Sequence, residues 1–567
     1  MTLESRLDAW SRGWRGPLFA ALLAFLAGLP GLLAMPPLDR DESRFAQATA
    51  QMLETGDLVV IKFQDQPRFK KPVGIHWLQA AAVTVFSAAE DRGIWAYRIP
   101  SLLGAMLAAA ACAWGAAALF DPRTGLLAGA ILGATFLLST EAFIAKTDAA
   151  LCGSTTLAMA ALAKIYADSL AGRKPTKWTR LAFWAGLAVA ALIKGPVGLL
   201  TVVMAALALC VWDRKGAWLK DLGWGWGLVL FAGVVLPWAM MITVATDGAF
   251  WGTAIAGDLA PKMAGGQEGH SGPFGYHALI SPLLVYPATL LLPAALAVAW
   301  KGRAEPGVRF AVCWLVPTWL MFEILPTKLA HYTLPAMGGL AMLMAAAVRE
   351  PLGHLVRRIG AGLTVFVSLL LAAVAVFGMS SFGQGADLIW TVLTALLLLA
   401  AGATGAVLLL RHQSARALVI SGALGVLAHA CLVGGLLPHL EPLFLSKDIA
   451  DALDKTRLSP RSGAPGPVAV TGYSEPSLVF LLGTATELTD GEQAAQAIVQ
   501  GRPAVVEARE EPLFRKTLAA EGLAPRPVAV VEGQNYSDGD HERLTLYRGE
   551  PQALPPSPGE PEPEDRP

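Results

Sequence analysis

The chain has 567 residues, of which 54% are hydrophobic and only 16% are charged, and its mean hydropathy is +0.50. This composition excludes an ordinary soluble globular protein and indicates a polytopic membrane protein. The 44 basic and 44 acidic residues cancel, so no overall positive field argues for a nucleic-acid partner.

The first apolar run follows three arginines, Arg6, Arg12 and Arg15, and no small-residue cleavage site comes after it. We therefore expect a retained helix rather than a cleaved signal peptide. The five cysteines lie within apolar segments without close pairing, which supports neither a disulfide framework nor a zinc site.

A membrane-spanning helix needs about 20 mainly apolar residues, and the sequence contains about thirteen runs of this kind. They are 17–35, 96–119, 124–140, 149–170, 181–193, 196–213, 222–245, 278–300, 308–325, 331–348, 359–379, 387–411 and 417–437. One further run, 74–89, is short and opens with the polar His76 and with Trp77. The sequence therefore predicts an all-α membrane domain over 1–440.

The positions of the basic loops indicate whether run 74–89 crosses the membrane. If it does not span, then the N-terminus and the basic loops, among them 121–125, 171–180 and 411–416, all fall on the cytoplasmic side. We therefore expect 74–89 to lie along the outer membrane surface as an amphipathic helix. The outer side then receives 36–95, 140–149, 246–277 and everything after 438.

From about residue 445 the chain becomes polar, and short strand-like and helix-like segments alternate. This pattern predicts a small α/β domain over 445–550, placed outside the membrane. The last segment, 551–567, is rich in proline and acidic residues, and we expect it to be disordered.

Two outer segments place carboxylates at predicted helix starts. Asp41 and Glu42 precede the amphipathic run SRFAQATAQMLETG, and Asp148 directly precedes a membrane helix. Helix capping alone accounts for carboxylates at such positions, since the helix dipole and free N–H groups favour them. A functional role becomes the stronger interpretation once the cations of the same face are considered.

Basic and aromatic residues occur in the same outer loops, namely Lys71, Lys262, His270, Lys328 and Tyr332. Each lysine alone is explained by snorkelling to the interface or by binding anionic lipid. Carboxylates and cations that come from several separate loops to one membrane face instead favour a site that handles a phosphate at the membrane boundary. Cations there stabilise a leaving phosphate, and a carboxylate orients or deprotonates an acceptor.

Seven motifs follow one another over roughly the first 350 residues. They are DESRF, GDLVVIKFQDQPRFKKPVGIHW, RIPSLL, AKTDAAL, LIKGPVGLL, GHSGPFGY and TKLAHYTLPA. In this order they resemble the bacterial glycosyltransferases typified by 4-amino-4-deoxy-L-arabinose lipid A transferase, within the protein O-mannosyltransferase clan of GT-C fold.

The resemblance implies an inverting transfer of a sugar from a polyprenyl-phosphate donor on the periplasmic side of the bacterial inner membrane. The acceptor it implies is lipid A or another envelope glycolipid. Matched motif by motif, Asp41 is the main catalytic carboxylate and Asp148 the second. Lys71 and Tyr332 would contact the donor phosphate, and Lys262 stands about where the family often has an arginine.

We also place Glu42, His270 and Lys328 among the expected substrate-binding residues. The family commonly has an acidic residue just before the Lys-Pro pair, whereas this chain has Lys70. That difference weakens the case for a bound divalent metal, and the sequence leaves the use of a metal open.

The sequence leaves two alternatives open. One is a protein O-glycosyltransferase, and the other is a carrier that moves polyprenyl-linked sugars without chemistry. A carrier would show broken helices in matching halves and ionisable groups near the bilayer midplane. Here the middles of the apolar runs are nearly free of charge, with Glu323 and Lys164 close to helix ends, which favours the enzyme. The sugar, the acceptor and the oligomeric state are not determined by the sequence.

Overall fold

A computed structural model describes residues 3–261 and 271–553. The chain forms two compact units. The membrane unit comprises Met1–Met35 and Ala48–His439, and the C-terminal unit comprises Pro36–Gln47 and Leu440–Pro567. A short N-terminal segment is thus grouped with the end of the chain, an arrangement that no local sequence pattern indicates.

Helices dominate the residues before 440. They are α1 (Leu3–Ser11), α2 (Arg15–Ala34), α3 (Asp41–Thr55), α4 (Gly74–Phe86), α5 (Ile94–Leu119), α6 (Pro122–Ala134), α7 (Phe136–Glu141), α8 (Thr147–Leu170), α9 (Lys177–Lys194), α10 (Pro196–Asp213), α11 (Trp224–Ala245), α12 (Ala249–Gly252), α13 (Tyr276–Leu284), α14 (Leu292–Lys301), α15 (Pro306–Ile324), α16 (Leu334–Ala347), α17 (His354–Phe382), α18 (Leu388–Leu410) and α19 (Ser414–Cys431). A small antiparallel ribbon, β1 (Lys62–Phe63) and β2 (Gln66–Pro67), precedes α4.

Within residues 3–261 and 271–553, nine helices are long and apolar enough to cross a membrane. The chain is therefore a multi-pass membrane protein with the predicted all-α membrane architecture. The count of about thirteen spans stays a prediction, because several predicted runs form shorter pieces. Run 278–300, for example, is divided between α13 and α14. Run 74–89, which is not counted among the thirteen, forms the short α4.

Proline and glycine divide the apolar sequence into separate helices. Helix α6 starts with Pro122 after Asp121, whose side chain accepts the N–H of Thr124 at 2.9 Å. Between α9 and α10, Gly195 has φ +58° and Pro196 follows as the first helical residue. Glycine tolerates this left-handed conformation and proline fits the first helical position, so the chain turns directly after Lys194.

The C-terminal unit contains a five-stranded sheet with the order β4-β3-β5-β7-β6. The strands are β3 (Ala469–Thr471), β4 (Glu487–Thr489), β5 (Ala504–Glu507), β6 (Leu523–Gln534) and β7 (His541–Ala553), and the helices are α20 (Leu445–Lys455), α21 (Pro476–Leu482), α22 (Gly491–Val499) and α23 (Glu511–Ala520). Strand β3 is parallel to β4 and β5, whereas β7 is antiparallel to β5 and β6.

Alternating strand residues bury both faces of this sheet. Val470 and Val505 pack in one core with Ile449 of α20, and Ala469 and Val506 belong to a second core that includes α22 and α23. This is the predicted small α/β fold. Strand β7 extends to Ala553, into the segment expected to form the tail, and residues 554–567 lie outside the described part of the chain.

Small residues allow helices α5 and α8 to pack closely. A β-carbon on Gly153 of α8 would lie 2.4 Å from the carbonyl oxygen of Gly104 on α5. Membrane helices lack a strong hydrophobic drive to associate, so close backbone approach at small residues stabilises their packing. Gly153 is therefore required by the contact between these two helices.

We expect Gly153→Ala to destabilise the protein by about 1–3 kcal/mol, because the added methyl group meets backbone that cannot move aside cheaply. Thermal unfolding of the purified protein in detergent measures this loss. Gly362→Ala on α17 is the matched control, since a β-carbon there meets no atom within 4 Å. Equal unfolding temperatures for the two variants would contradict the packing argument.

Candidate functional site

Five charged or titratable side chains of the membrane unit lie together in what we call the charged cluster: Glu141, Lys146, Asp148, Lys194 and His331. Glu141, Lys146 and Asp148 are each less than 10% exposed, and the side chains of Lys194 and His331 are each 14% exposed. All five lie at helix ends or in the connections between helices. Such burial of charge is costly unless the groups neutralise one another.

Local sequence explains how each side chain is placed. Glu141 is the last residue of α7, Lys146 directly precedes α8, and Asp148 lies in the first turn of α8. Lys194 ends α9 at the Gly-Pro turn described above, and His331 lies in the short helical turn Ala330–Thr333 before α16.

Two lysines hold the carboxylates of the cluster. The Lys194 ammonium lies 2.5 Å from Asp148 Oδ1, and the Lys146 ammonium lies 2.9 Å from Glu141 Oε1 and 3.9 Å from Asp148 Oδ2. His331 stands between the acidic residues, with Nε2 3.8 Å from Asp148 Oδ2 and Nδ1 3.6 Å from Glu141 Oε1. The cluster is one connected network rather than a set of independent ion pairs.

The network also determines the state of the imidazole ring. Lys146 Nζ lies 3.2 Å from His331 Nδ1, and an ammonium can only donate, so Nδ1 must accept and the proton belongs on Nε2. Burial lowers the pKa of His331 well below its ordinary value; Asp148 opposes this shift, and the charges of Lys146, Lys194 and Lys71 reinforce it. Burial in turn raises the pKa of Glu141. Neutral His331 leaves the lysines as the cations of the cluster.

Lys71 and Tyr332, both predicted from the motifs, belong to the surroundings of this cluster. Lys71 lies in the turn before α4, close enough for its charge to act on His331. The Lys194 ammonium lies 5.3 Å from the centroid of the Tyr332 ring, within the range of a cation–π interaction. Of the predicted residues, Asp148, Lys71 and Tyr332 are thus brought together in the membrane unit.

The other predicted residues lie elsewhere in the structure or outside the described residues. Asp41 begins α3 in the C-terminal unit, and the adjacent Glu42 is buried and accepts the backbone N–H of Leu38 at 2.8 Å. The N–H of Leu38 lies before α3, so this bond fastens the preceding loop to the helix, and the capping role considered from the sequence stays a prediction. Lys262 and His270 lie outside the described residues, between 261 and 271.

Lys328 is 5% exposed and donates to two carbonyl oxygens at the end of α15, those of Phe322 at 3.0 Å and Glu323 at 2.6 Å. Its ammonium also lies 3.6 Å from the Glu323 carboxylate. These contacts anchor the segment that leads to Tyr332. A contact between Lys328 and substrate stays a prediction.

Sequence reasoning did not select Glu141, Lys146, Lys194 or His331. The signal was nevertheless present, because Lys146, Lys194 and His331 stand within the motifs AKTDAAL, LIKGPVGLL and TKLAHYTLPA, and Glu141 stands in the same outer loop as the first of these. Each is a polar residue at the end of a long apolar run, a position that favours a site at the membrane boundary.

Three members of the cluster, Glu141, Asp148 and His331, are of residue types that ligate metals. Glu141 Oε1, both oxygens of Asp148 and His331 Nδ1 lie near lysine ammonium groups, whereas Glu141 Oε2 is buried without a hydrogen-bond partner in the described part of the chain. Because lysine ammonium groups already lie beside three of the four carboxylate oxygens and beside His331 Nδ1, the arrangement does not fit a divalent metal ion. Lys70, which replaces the acidic residue common in the family, is exposed and offers no oxygen ligand.

Comparison with known proteins finds relatives of the kind that the motifs indicate. A family model for dolichyl-phosphate-mannose-protein mannosyltransferase matches residues 39–250. An undecaprenyl phosphate-alpha-4-amino-4-deoxy-L-arabinose arabinosyl transferase of Pseudomonas paraeruginosa is 32% identical over 333 residues, 57% of this chain and 58% of the relative. The enzyme of the same name from Pseudomonas aeruginosa is 31% identical over 356 residues, 61% of this chain and 63% of the relative.

The matched region thus spans about three fifths of the length of these curated relatives. Among solved structures, ArnT from Cupriavidus metallidurans bound to undecaprenyl phosphate superimposes with a TM-score of 0.73 at 18% identity, covering 93% of this chain and 97% of that one. This likeness establishes the fold. Both the fold class and the resemblance predicted from the motifs are confirmed. The chain is therefore a multi-pass membrane protein of the GT-C fold that resembles the 4-amino-4-deoxy-L-arabinose transferases of the protein O-mannosyltransferase clan.

Proposed function

We propose that this protein is an inverting glycosyltransferase that moves a sugar from a polyprenyl-phosphate donor to lipid A or another envelope glycolipid. The observation that carries the proposal is the set of buried and half-buried lysines around Asp148. The relatives of the chain are named as undecaprenyl phosphate-alpha-4-amino-4-deoxy-L-arabinose arabinosyl transferases. Membrane lipids and a lipid or glycan acceptor are the partners it requires.

The charges of the site suit a phosphate leaving group. Lys71, Lys146 and Lys194 contribute three positive charges, whereas Glu141 and Asp148 contribute at most two negative ones, and His331 is neutral. Such an excess in a poorly solvated place favours an anion. During transfer the bond between the anomeric carbon and the phosphate oxygen breaks, and lysines near that oxygen stabilise the charge that develops on it.

The role of the carboxylates depends on the acceptor. Asp41 is the proposed main catalytic carboxylate and Asp148 the second, both by motif, and Lys71 and Tyr332 are the proposed phosphate contacts. A phosphate acceptor, as on lipid A, is already ionised near neutral pH, so a carboxylate would only orient it. A hydroxyl acceptor has a far higher pKa, and Asp41 would then have to take its proton as the new bond to the anomeric carbon forms.

For the location, we propose the bacterial inner membrane with the N-terminus in the cytoplasm. The basic loops, such as 171–180 and 411–416, support this orientation through the positive-inside rule. The segments that carry Asp148, Lys194 and His331, and the C-terminal unit, would then be periplasmic.

A protein acceptor is the second candidate, because the matching family model describes a protein mannosyltransferase. Comparison of lipid A, envelope glycans and protein-linked sugars between a deletion strain and its parent, by mass spectrometry, separates the two. We expect one sugar to disappear from lipid A or another glycolipid and to return when the gene is restored. Loss from a protein fraction would support the second candidate, and no change in any fraction would contradict both.

We expect Asp41→Asn to abolish transfer while leaving folding and membrane insertion intact, because the amide can neither accept the acceptor proton nor supply negative charge. The measurement is sugar transfer by the purified protein from a polyprenyl-phosphate donor. Asp65→Asn is the control, as Asp65 is an exposed residue of the same outer segment. Near-normal turnover of the Asp41→Asn protein would contradict its assignment as the main carboxylate. A carrier without chemistry would show no transfer even in its native form.

We expect Lys194→Met to lower transfer by at least roughly tenfold, since a cation that stabilises the leaving phosphate is lost. The substitution also leaves Asp148 with fewer partners, which destabilises a buried site. Lys174→Met serves as the control, because it removes an ion pair of comparable length, 2.9 Å to Asp221, in which the lysine is 81% exposed.

A double variant separates stability from function. Asp148→Asn combined with Lys194→Met removes both charges of the 2.5 Å pair, so thermal stability should recover relative to Lys194→Met alone. Transfer should not recover. If activity returned together with stability, the pair would be a structural element only.

A further inference from the structure

The segment Pro36–Gln47, which carries Asp41, is hydrogen-bonded to the C-terminal domain within the C-terminal unit. The backbone N–H of Asp39 donates to the Tyr536 hydroxyl at 2.7 Å, and Gln47 Nε2 donates to Thr484 Oγ1 at 2.8 Å. One contact precedes Asp41 by two residues and the other follows it by six. The backbone of Asp41 is therefore held from both sides.

The carboxylate of Asp39 is the centre of the first contact. It accepts a hydrogen bond from Ser477 Oγ. Ser477 is hydrogen-bonded to Ser446 at 2.6 Å, and Ser446 to the Tyr473 hydroxyl at 2.9 Å. These three hydroxyl residues are all buried. Because each hydroxyl has one proton, a chain that donates from Tyr473 through Ser446 and Ser477 to Asp39 satisfies every member.

Additional local contacts make this segment rigid. Ser43 Oγ donates to the carbonyl oxygen of Leu38 at 2.5 Å, and Glu42 accepts the N–H of the same residue. Arg40, between Asp39 and Asp41, has φ +60°, a conformation that is uncommon for a residue other than glycine and that persists only when its surroundings hold it. The contacts made by Asp39 supply that constraint.

We propose that the C-terminal domain positions the catalytic carboxylate, with Asp39, Ser477 and Tyr536 as positioning residues that fix the backbone leading into Asp41. This rests on the proposed function, in which Asp41 acts on the acceptor. It assigns a role in the reaction to a domain that has no catalytic motif of its own.

The pKa of Asp39 makes the stability of the contact between Asp39 and Ser477 depend on pH, and this dependence can be measured. Burial raises the pKa of Asp39 to about 7; the neighbouring Glu475 adds to this shift, and Ser477, Tyr536 and Arg40 oppose it. Tyr473 also faces the carboxylate. Because the folded pKa lies above the unfolded one, the folded segment binds more protons, and its stability falls as pH rises from about 4 to about 7.

Hydrogen exchange of the full-length protein in detergent tests the anchoring directly. In Ser477→Ala, the peptide covering 36–47 should lose protection by roughly tenfold or more, because one hydrogen bond to Asp39 is removed. In the native protein, protection corrected for intrinsic exchange should fall between pH 5 and pH 7, and Asp39→Asn should remove that dependence. Thr517→Ala is the control, since its hydroxyl donates to Leu513 of its own helix. Unchanged protection in Ser477→Ala would overturn the proposal.

Kinetics test whether anchoring serves the reaction. Ser477→Ala and Asp39→Ala should lower kcat by roughly tenfold with the donor KM altered by less than about twofold, the pattern of lost positioning without lost binding. Asp39→Asn, whose amide oxygen still accepts from Ser477, should retain most of the turnover. Increased exchange with unchanged kcat would overturn the positioning role. If the native protein transfers no sugar, the proposed function fails, whereas the exchange experiment still decides whether the segment is anchored.

Discussion

Charge that is removed from water beside a membrane must be neutralised by charge nearby, and this requirement organises the site. An unpaired buried ion costs several kcal/mol even after relaxation. Asp148 and Glu141 are stable where they lie because Lys194 and Lys146 approach them at 2.5 and 2.9 Å. The same lysines then provide what a phosphate leaving group needs. One arrangement thus satisfies both stability and the proposed chemistry.

The side chains of the charged cluster are held in position because they lie at or next to helix ends. The connections after α7 and α9 and before α16 are short, so their polar residues have little freedom. Gly195 and Pro196 turn the chain immediately after Lys194, and His331 precedes α16 by a single helical turn. Rigid elements on either side keep the side chains in one geometry, which is the requirement for preorganised electrostatic stabilisation.

The C-terminal domain shows how a second fold can contribute without catalytic groups. Its sheet buries two apolar faces in the ordinary way, and its polar residues Ser477 and Tyr536 contact the segment that precedes Asp41. Backbone strain at Arg40 is compatible with such support, because unusual conformations persist where the surrounding structure over-determines them. Positioning is therefore assigned to a domain whose sequence carries no motif.

The sequence by itself determined the membrane class, the α/β character of the end of the chain and the motifs around Asp148, Lys71 and Tyr332. Hydrophobic runs and local motifs are properties of neighbouring residues, so they can be recognised in a single amino-acid sequence. Tertiary structure alone decided that Lys146, Lys194 and His331 join Asp148, and that Asp39 meets Ser477, 438 residues later. Contacts between distant segments depend on how the helices and strands pack, and single-sequence patterns do not encode which buried charge faces which.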